Sequence, residues 1–333
     1  MLARHSMTTA WLGMVAVSGW MLSSAAPPDP LKLVQTIPLP GVKGRFDHFS
    51  LDAKGKRLFV AALENNSLEV VDLSAGTRLQ SVPGMSKPTG VLYLADSNQI
   101  TLANSGDGTL RLLDGTNFRV LRNLRQVPDA DNLRLDSKTQ LTWLGYGDGA
   151  FGIFEPATLR LMGTIKLGSH PESFQMEKQG TRLFVNLPQT RQVGVIDREK
   201  RSVLQTWPME QFQANFPMSL DESNKRLFVG CRKPPRLVIL NTETGKMIAD
   251  IAISGDTDDL FHDARRKRIY LSCGEGFIDV VEQTSTENYQ QVAKVSSAPG
   301  ARTSFFSAEL DRYYVAVPEG GSQKAEVRVY QPE

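Results

Sequence analysis

Cysteine is nearly absent from this 333-residue chain, which has two. Two cysteines cannot frame a fold of this length, so a disulfide-stapled scaffold is excluded. An excess of one charge is also missing. The 38 Lys and Arg nearly balance the 36 Asp and Glu, for a formal charge of +2. That balance argues against a dedicated nucleic-acid binder, which carries a basic excess. Glycine, at 27 residues, is far below the one in three of collagen. Apolar residues reach 41%, too many for a disordered chain of such low net charge. No run beyond the N-terminal segment approaches the ~20 apolar residues of a membrane span. CxxCH, HExxH and GxSxG do not occur, so no haem-attachment, zincin or serine-hydrolase signature is present.

The N-terminus has the layout of an export signal. Arg4 and His5 form a basic start, and Trp11 to Leu22 is an apolar run of twelve residues. Ser23, Ser24, Ala25 and Ala26 follow, ahead of Pro27 and Pro28. A short apolar core before small residues is the pattern of a cleaved signal. Cleavage is expected after Ala25, which makes residues 1–25 the signal and 26–333 a mature, exported domain. The expected compartment is the bacterial periplasm or the exterior.

Length alone suggests about two domains, but the mature chain is one unit written seven times. Arg57-Leu58-Phe59-Val60 recurs as Arg182-Leu183-Phe184-Val185 and Arg226-Leu227-Phe228-Val229. Weaker copies begin at Gln99, Gln140, Arg268 and Arg312, so the steps are 42, 41, 42, 44, 42 and 44 residues. A second landmark ends an apolar stretch on a polar residue, as in Val70-Val71-Asp72 and Val195-Ile196-Asp197. Short segments rich in Val, Ile, Phe and Tyr at this period predict four-stranded propeller blades rather than helical repeats. The expected fold is all-β: a seven-bladed β-propeller with antiparallel blades starting near 46, 88, 130, 171, 215, 257 and 301. Blade 7 lacks an outer strand, because the chain stops three residues after Tyr330. Residues 31–39 have nothing else to pair with and should supply that strand, which closes the ring and removes a sheet edge.

Several eye-catching motifs dissolve in the repeat. Gly147 to Gly152 fits GxGxxG, but another strand follows it where a dinucleotide site needs a helix, so it reads as a hairpin turn. The basic run Arg265-Arg266-Lys267-Arg268 falls between two strands of blade 6 and reads as a solvated turn. Cys231 and Cys273 hold the same repeat position in adjacent blades. They should therefore face successive gaps between blades, as free buried thiols beyond disulfide reach. His262, mid-strand, reads as a satisfied core or channel histidine.

One constellation survives. Aligning the loops that enter each blade puts Asp47, Thr89, Asp131, Glu172, Phe216 and Asp258 in one ring, with Arg302 or Thr303 from blade 7. The next position holds His48, Gly90, Asn132, Ser173, Pro217 and Asp259. Converging carboxylates repel unless a cation is present or some are protonated. Asp47, Asp131, Glu172 and Asp258 are thus candidate ligands for Ca²⁺ or Mg²⁺, and His48 opens the way to a transition metal or base chemistry. Arg45, Asn132, Asp259 and Arg302 are candidate ligand-binding residues, with His170, Asp129 and Asp256 in the same loops. A wet polar rim without function accounts for the same residues.

The period, the RLFV core and the Asp-then-turn landmark resemble the YVTN-type repeats of bacterial seven-bladed propellers, over nearly the whole mature chain. Thr101-Leu102-Ala103-Asn104 is the one copy with Asn in the fourth place. The resemblance implies the fold and export. It leaves three functions open, because the family includes binding proteins, lactonase-like enzymes and dehydrogenase-associated subunits. The first is a non-catalytic binding or scaffold protein that takes an unknown protein or small molecule on the loop face. The second is a metal-dependent hydrolase or lactonase with His48 or His170 as base. The third is a subunit beside a periplasmic dehydrogenase.

Overall fold

A computed structural model describes residues 1–3 and 29–333. The expected signal core and its cleavage point fall on residues 4–28 and lie outside the described residues. Among the described residues, 28 strands form seven four-stranded antiparallel sheets. The innermost strands begin at Phe49, Pro88, Leu133, Phe174, Gln213, Thr257 and Thr303. Leu31–Pro38 lies antiparallel to Glu326–Pro332 at the edge of the last sheet, with Leu31 opposite Pro332 and Ile37 opposite Val327. The ring therefore closes as the repeat count requires. Among the described residues no helix is long and apolar enough to cross a membrane.

The RLFV strand explains the packing. Side chains alternate across a strand, so Leu58 and Val60 enter one apolar cluster and Phe59 the next. Leu227 and Val229 are likewise separated from Phe228. All of these residues are fully buried. Among the described residues there are seven such clusters, and each draws on two neighbouring blades. Cys231 and Cys273 are free and lie in different clusters, so they face successive seams.

The arginine that opens the strand staples one blade to the next. Arg57 bonds the Gly115 carbonyl in the outer turn of blade 2, and Arg182 bonds the Thr242 carbonyl in blade 5 at 2.6 Å. Arg226 reaches the Thr286 carbonyl at 3.2 Å, and Arg268 reaches that of Glu333 at 2.6 Å. Blade 3 has Gln140 there and uses another clasp. Lys138 Nζ donates to the Gln179 and Gly180 carbonyls, and Arg198 of blade 4 bonds Asp136 at 2.6 Å. That ion pair is buried, with the side chains 4% and 2% exposed.

Every outermost strand carries a β-bulge at the same repeat position. Leu79, Leu121, Met162, Leu204, Ile248, Val292 and Val34 are each skipped in the pairing register. A bulge twists a strand edge away from incoming strands, so the rim is protected where the blades end.

Breaking a buried pair from one side strands the other charge and costs about 3–5 kcal/mol. Asp136→Ala is expected to destabilise the protein by about 3 kcal/mol, whereas Arg57→Ala, which removes a partly exposed staple, costs about 1–2 kcal/mol. Equilibrium urea unfolding measures both, and a smaller loss for Asp136→Ala than for Arg57→Ala would contradict this account of the seams.

Candidate functional site

The loops that pass from the outer strand of one blade to the inner strand of the next meet around the channel mouth. Asp47, Thr89, Asp131, Glu172, Phe216, Asp258 and Arg302 line one cavity of about 400 Å³. Arg302, not Thr303, takes the blade 7 place; Thr303 is buried in its strand opposite Ala316. From the following position His48, Asn132 and Ser173 also reach the cavity, as do Arg45, Asp129 and His170. Asp259 does not line it. Its carboxylate accepts a bond from the Ser304 amide at 2.8 Å and stands 3.8 Å from His48 Nδ1.

Asp131 is the centre of one half of the site. The amide of Asp131 donates to the Gly145 carbonyl, and the amide of Gly145 donates to the Asn132 carbonyl, both at 3.0 Å. Gly90 fits tightly beside it: a Cβ there would stand 2.1 Å from the Asp131 carbonyl oxygen. The two carboxylate oxygens of Asp131 face different imidazoles. Oδ1 is 3.8 Å from His48 Nε2, and Oδ2 is 3.9 Å from His170 Nε2. His48 Nε2 also stands 3.6 Å from Asp47. The other nitrogen of His170 is fixed, with Nδ1 2.6 Å from the Gly147 carbonyl and 3.5 Å from Asp129. Gly147 belongs to the hairpin between Thr142–Tyr146 and Ala150–Glu155, so the GxGxxG sequence is a turn and contributes a carbonyl.

The other half is closed on itself. Arg232 ion-pairs with Asp258 and stands 3.4 Å from Asp256, while its guanidinium stacks 4.2 Å from the Phe216 ring. Arg302 meets Asp256 at 2.8 Å and Asp258 at 3.1 Å. All four expected carboxylates line the cavity, but two arginines hold Asp258 and leave Asp47, Asp131 and Glu172 as the less compensated three. Arg45, 43% exposed, approaches Asp47 only to 3.5 Å.

Sequence reading missed Arg232 and Arg134. Arg232 follows Cys231 at the far end of the blade 5 strand Arg226–Lys233, which is longer than its counterparts, and that extra length is the one signal for it. Arg134 does not line the cavity. It stacks over Phe174 at 5.5 Å, and the charges of Asp259 and Asp131 act on it. His262 is remote from the mouth. It packs against the Phe228 ring at 5.2 Å, and burial depresses its basicity.

Electrostatics in the open half is strained. Burial, with the like charges of Asp131 and Asp258, holds Asp47 well above the usual carboxylate range. Burial and Asp131 do the same to Glu172. Burial pushes Asp259 up to about 7, against the favourable effect of His48. Burial would depress the His170 imidazolium, but Asp131 and the Gly147 carbonyl override it and raise it to about 9. Burial opposes ionisation of Asp131 too, yet the neighbouring imidazoles bring it below its ordinary value.

A carboxyl raised in the folded state binds its proton more tightly there than in the unfolded chain. It favours the fold most at low pH, and that contribution is lost as pH rises through its folded value. His170 acts in the same sense: its contribution is full below about 6.5 and is lost as pH rises through about 9. In chelator, Asp47→Asn combined with Glu172→Gln is expected to melt about 2 °C or more above the parent at pH 8. The gap should shrink as pH falls to 5, since their raised values favour protonation of the parent's carboxyls in the fold. A melting series across this range checks it, and an equal gap at both ends would refute it.

No family model matches the chain, and no curated protein matches its sequence. Solved structures do. It is similar to a chain of Kuenenia stuttgartiensis hydrazine synthase with a TM-score of 0.73, 14% identity, 85% of this chain covered and 94% of that chain. It is similar to a chain of a mitotic checkpoint complex with a TM-score of 0.72, 14% identity, and 95% and 98% coverage. At such identity the likeness establishes the seven-bladed propeller and leaves the chemistry to the residues at the mouth.

Proposed function

We propose that this chain is an exported propeller of the YVTN type. It binds a small ligand at its channel mouth through a divalent cation held by His48, His170, Asp47, Asp131 and Glu172. One observation carries this reading. Both imidazoles turn Nε2 toward the same carboxylate while Nδ1 faces another acceptor, the Gly147 carbonyl for His170 and Asp259 for His48. Metal-ligating histidines are oriented in this way, with the second ring nitrogen bonded to a carbonyl or carboxylate; His170 Nδ1 makes that bond at 2.6 Å, and His48 Nδ1 faces Asp259 at 3.8 Å. The donors suit the ion as well. An all-oxygen site would favour Ca²⁺ or Mg²⁺, whereas two imidazoles among carboxylates favour Zn²⁺, Mn²⁺ or Co²⁺. A cation also offsets the burial and the like-charge repulsion that raise Asp47 and Glu172. Arg45, exposed at the rim, is placed to meet an acidic group of the ligand.

Metal-assisted hydrolysis of an ester or lactone is the second reading. The cavity of about 400 Å³ supports it, having room for a small carbonyl compound beside the ion. A bound cation polarises a carbonyl and acidifies water. In that case the ion rests on Asp131, His170 and Glu172 alone, and His48, 18% exposed among Asp47, Asp131 and Asp259, stays unligated as the base.

Elemental analysis of the purified mature protein, with melting scans in added Zn²⁺, Mn²⁺, Co²⁺, Ca²⁺ and Mg²⁺, tests the first reading. Retained metal, or a rise in melting temperature with the first three ions that His170→Gln weakens, is the expected result. Metal-free protein with no shift in any ion refutes it. For the second reading, metal-loaded protein is assayed on aryl esters and small lactones. Turnover that falls at least about 100-fold in His48→Gln is expected, and a loaded but inert protein eliminates hydrolysis while leaving binding intact.

A further inference from the structure

The mouth has two groups of potential ligands, not one. Asp47, His48 and Asp131 form the first, and Asp131, His170 and Glu172 form the second. Within each group the donor atoms all lie within 4.8 Å of one another. Asp131 belongs to both and presents a different oxygen to each histidine. We propose that the mouth holds a pair of divalent cations bridged by the Asp131 carboxylate, which rests on the cation-binding reading above. One ion takes Oδ1 of Asp131 with His48 and Asp47, and the other takes Oδ2 with His170 and Glu172.

The spacings fit ions better than hydrogen bonds. His48 Nε2 is 3.6 Å from Asp47 and 3.8 Å from Asp131, and His170 Nε2 is 3.9 Å from Asp131. A hydrogen bond does not span these distances. Two donors on one ion with bonds of about 2.1 Å stand about 3.0 Å apart when adjacent and about 4.2 Å apart when opposite. The observed gaps fall between those limits on both sides of Asp131. A single ion would fill one gap and leave the other imidazole facing a carboxylate across an unfilled space.

Asn132 adds an independent observation. The residue is 1% exposed and lines the same cavity; its Nδ2 donates to Asp131 Oδ2 at 3.4 Å, and its Oδ1 has no hydrogen-bond partner among the described residues. A buried carbonyl oxygen without a partner is costly, and a neutral oxygen donor beside Asp131 becomes satisfied when it meets a cation. The charge count then defines the ligand. Two divalent ions carry one positive charge more than Asp47, Asp131 and Glu172 neutralise together. An oxyanion, a carboxylate or a phosphate, is therefore the class of ligand that spans the pair, as paired-ion sites bind substrate oxygens.

Stoichiometry tests the proposal. Protein stripped with chelator is titrated with Mn²⁺ by calorimetry, and its metal content is measured after desalting. Two ions per chain are expected, with an exchange-coupled Mn²⁺ pair in the electron paramagnetic resonance spectrum. His48→Gln and His170→Gln should each keep one ion and lose the coupling, and Asp131→Asn should lose the coupling as well. Far-ultraviolet circular dichroism shows that each variant is folded. One ion per parent chain, lost entirely in one histidine variant and kept in the other, overturns the pair and leaves the cation-binding reading standing. No bound ion in the parent overturns both.

Discussion

The fold depends on a demand made of one strand in each blade: it must fill two seams at once. Leu58 and Val60 pack toward one neighbouring blade and Phe59 toward the other. A strand buried on both faces takes mostly apolar side chains in its middle. Polar chemistry is therefore displaced to the two ends of that strand and the loops beyond them. Because the seven seams form a closed ring, each blade is held from both sides.

The two ends then have different tasks. At one end, the leading arginine bonds the outer turn of the following blade, as Arg57, Arg182 and Arg226 do, and Arg268 bonds the Glu333 carbonyl just beyond the last strand. These bonds lie toward the periphery, where the blades diverge and apolar contact thins. At the other end, the entry loops converge on the axis, and any charge they carry is brought close to charges from blades distant in sequence. Blades 5, 6 and 7 resolve this internally, since Arg232 and Arg302 neutralise Asp256 and Asp258. Blades 1, 3 and 4 do not, and the unmet charge of the mouth is theirs.

Most of the architecture was legible in the sequence, because the two-seam demand writes itself into every blade as the same short apolar word. The spacing of that word set the blade count, and the lone strand at residues 31–39 had one place to go. Aligning on it also placed Asp47, Asp131, Glu172 and His48 at one mouth, since equivalent positions in a ring share a height along its axis. What escaped lies off that alignment. Arg232 comes from an extension of its strand rather than an entry loop, so nothing announced that it would meet Asp258. The arginine staples end on backbone carbonyls about 60 residues away, which leave no trace in side-chain chemistry. The bulge residues, such as Leu79 and Leu204, read as ordinary strand alternation, because register is a property of pairing and not of one strand.

The mouth and the ring bear on each other through mass action. Ligands that bind the native state alone stabilise it in proportion to their occupancy. Here the donors come from blades 1, 3 and 4, which do not all touch one another in the ring. A cation at Asp131 would tie them across the axis, where no apolar seam reaches. The repulsion among Asp47, Asp131 and Glu172 weakens the fold at its centre, and the same groups make that centre receptive to positive charge. A propeller tolerates such a centre because its stability resides in seven peripheral seams. That division is why strained, buried carboxylates persist at the axis of an otherwise apolar and well-matched structure.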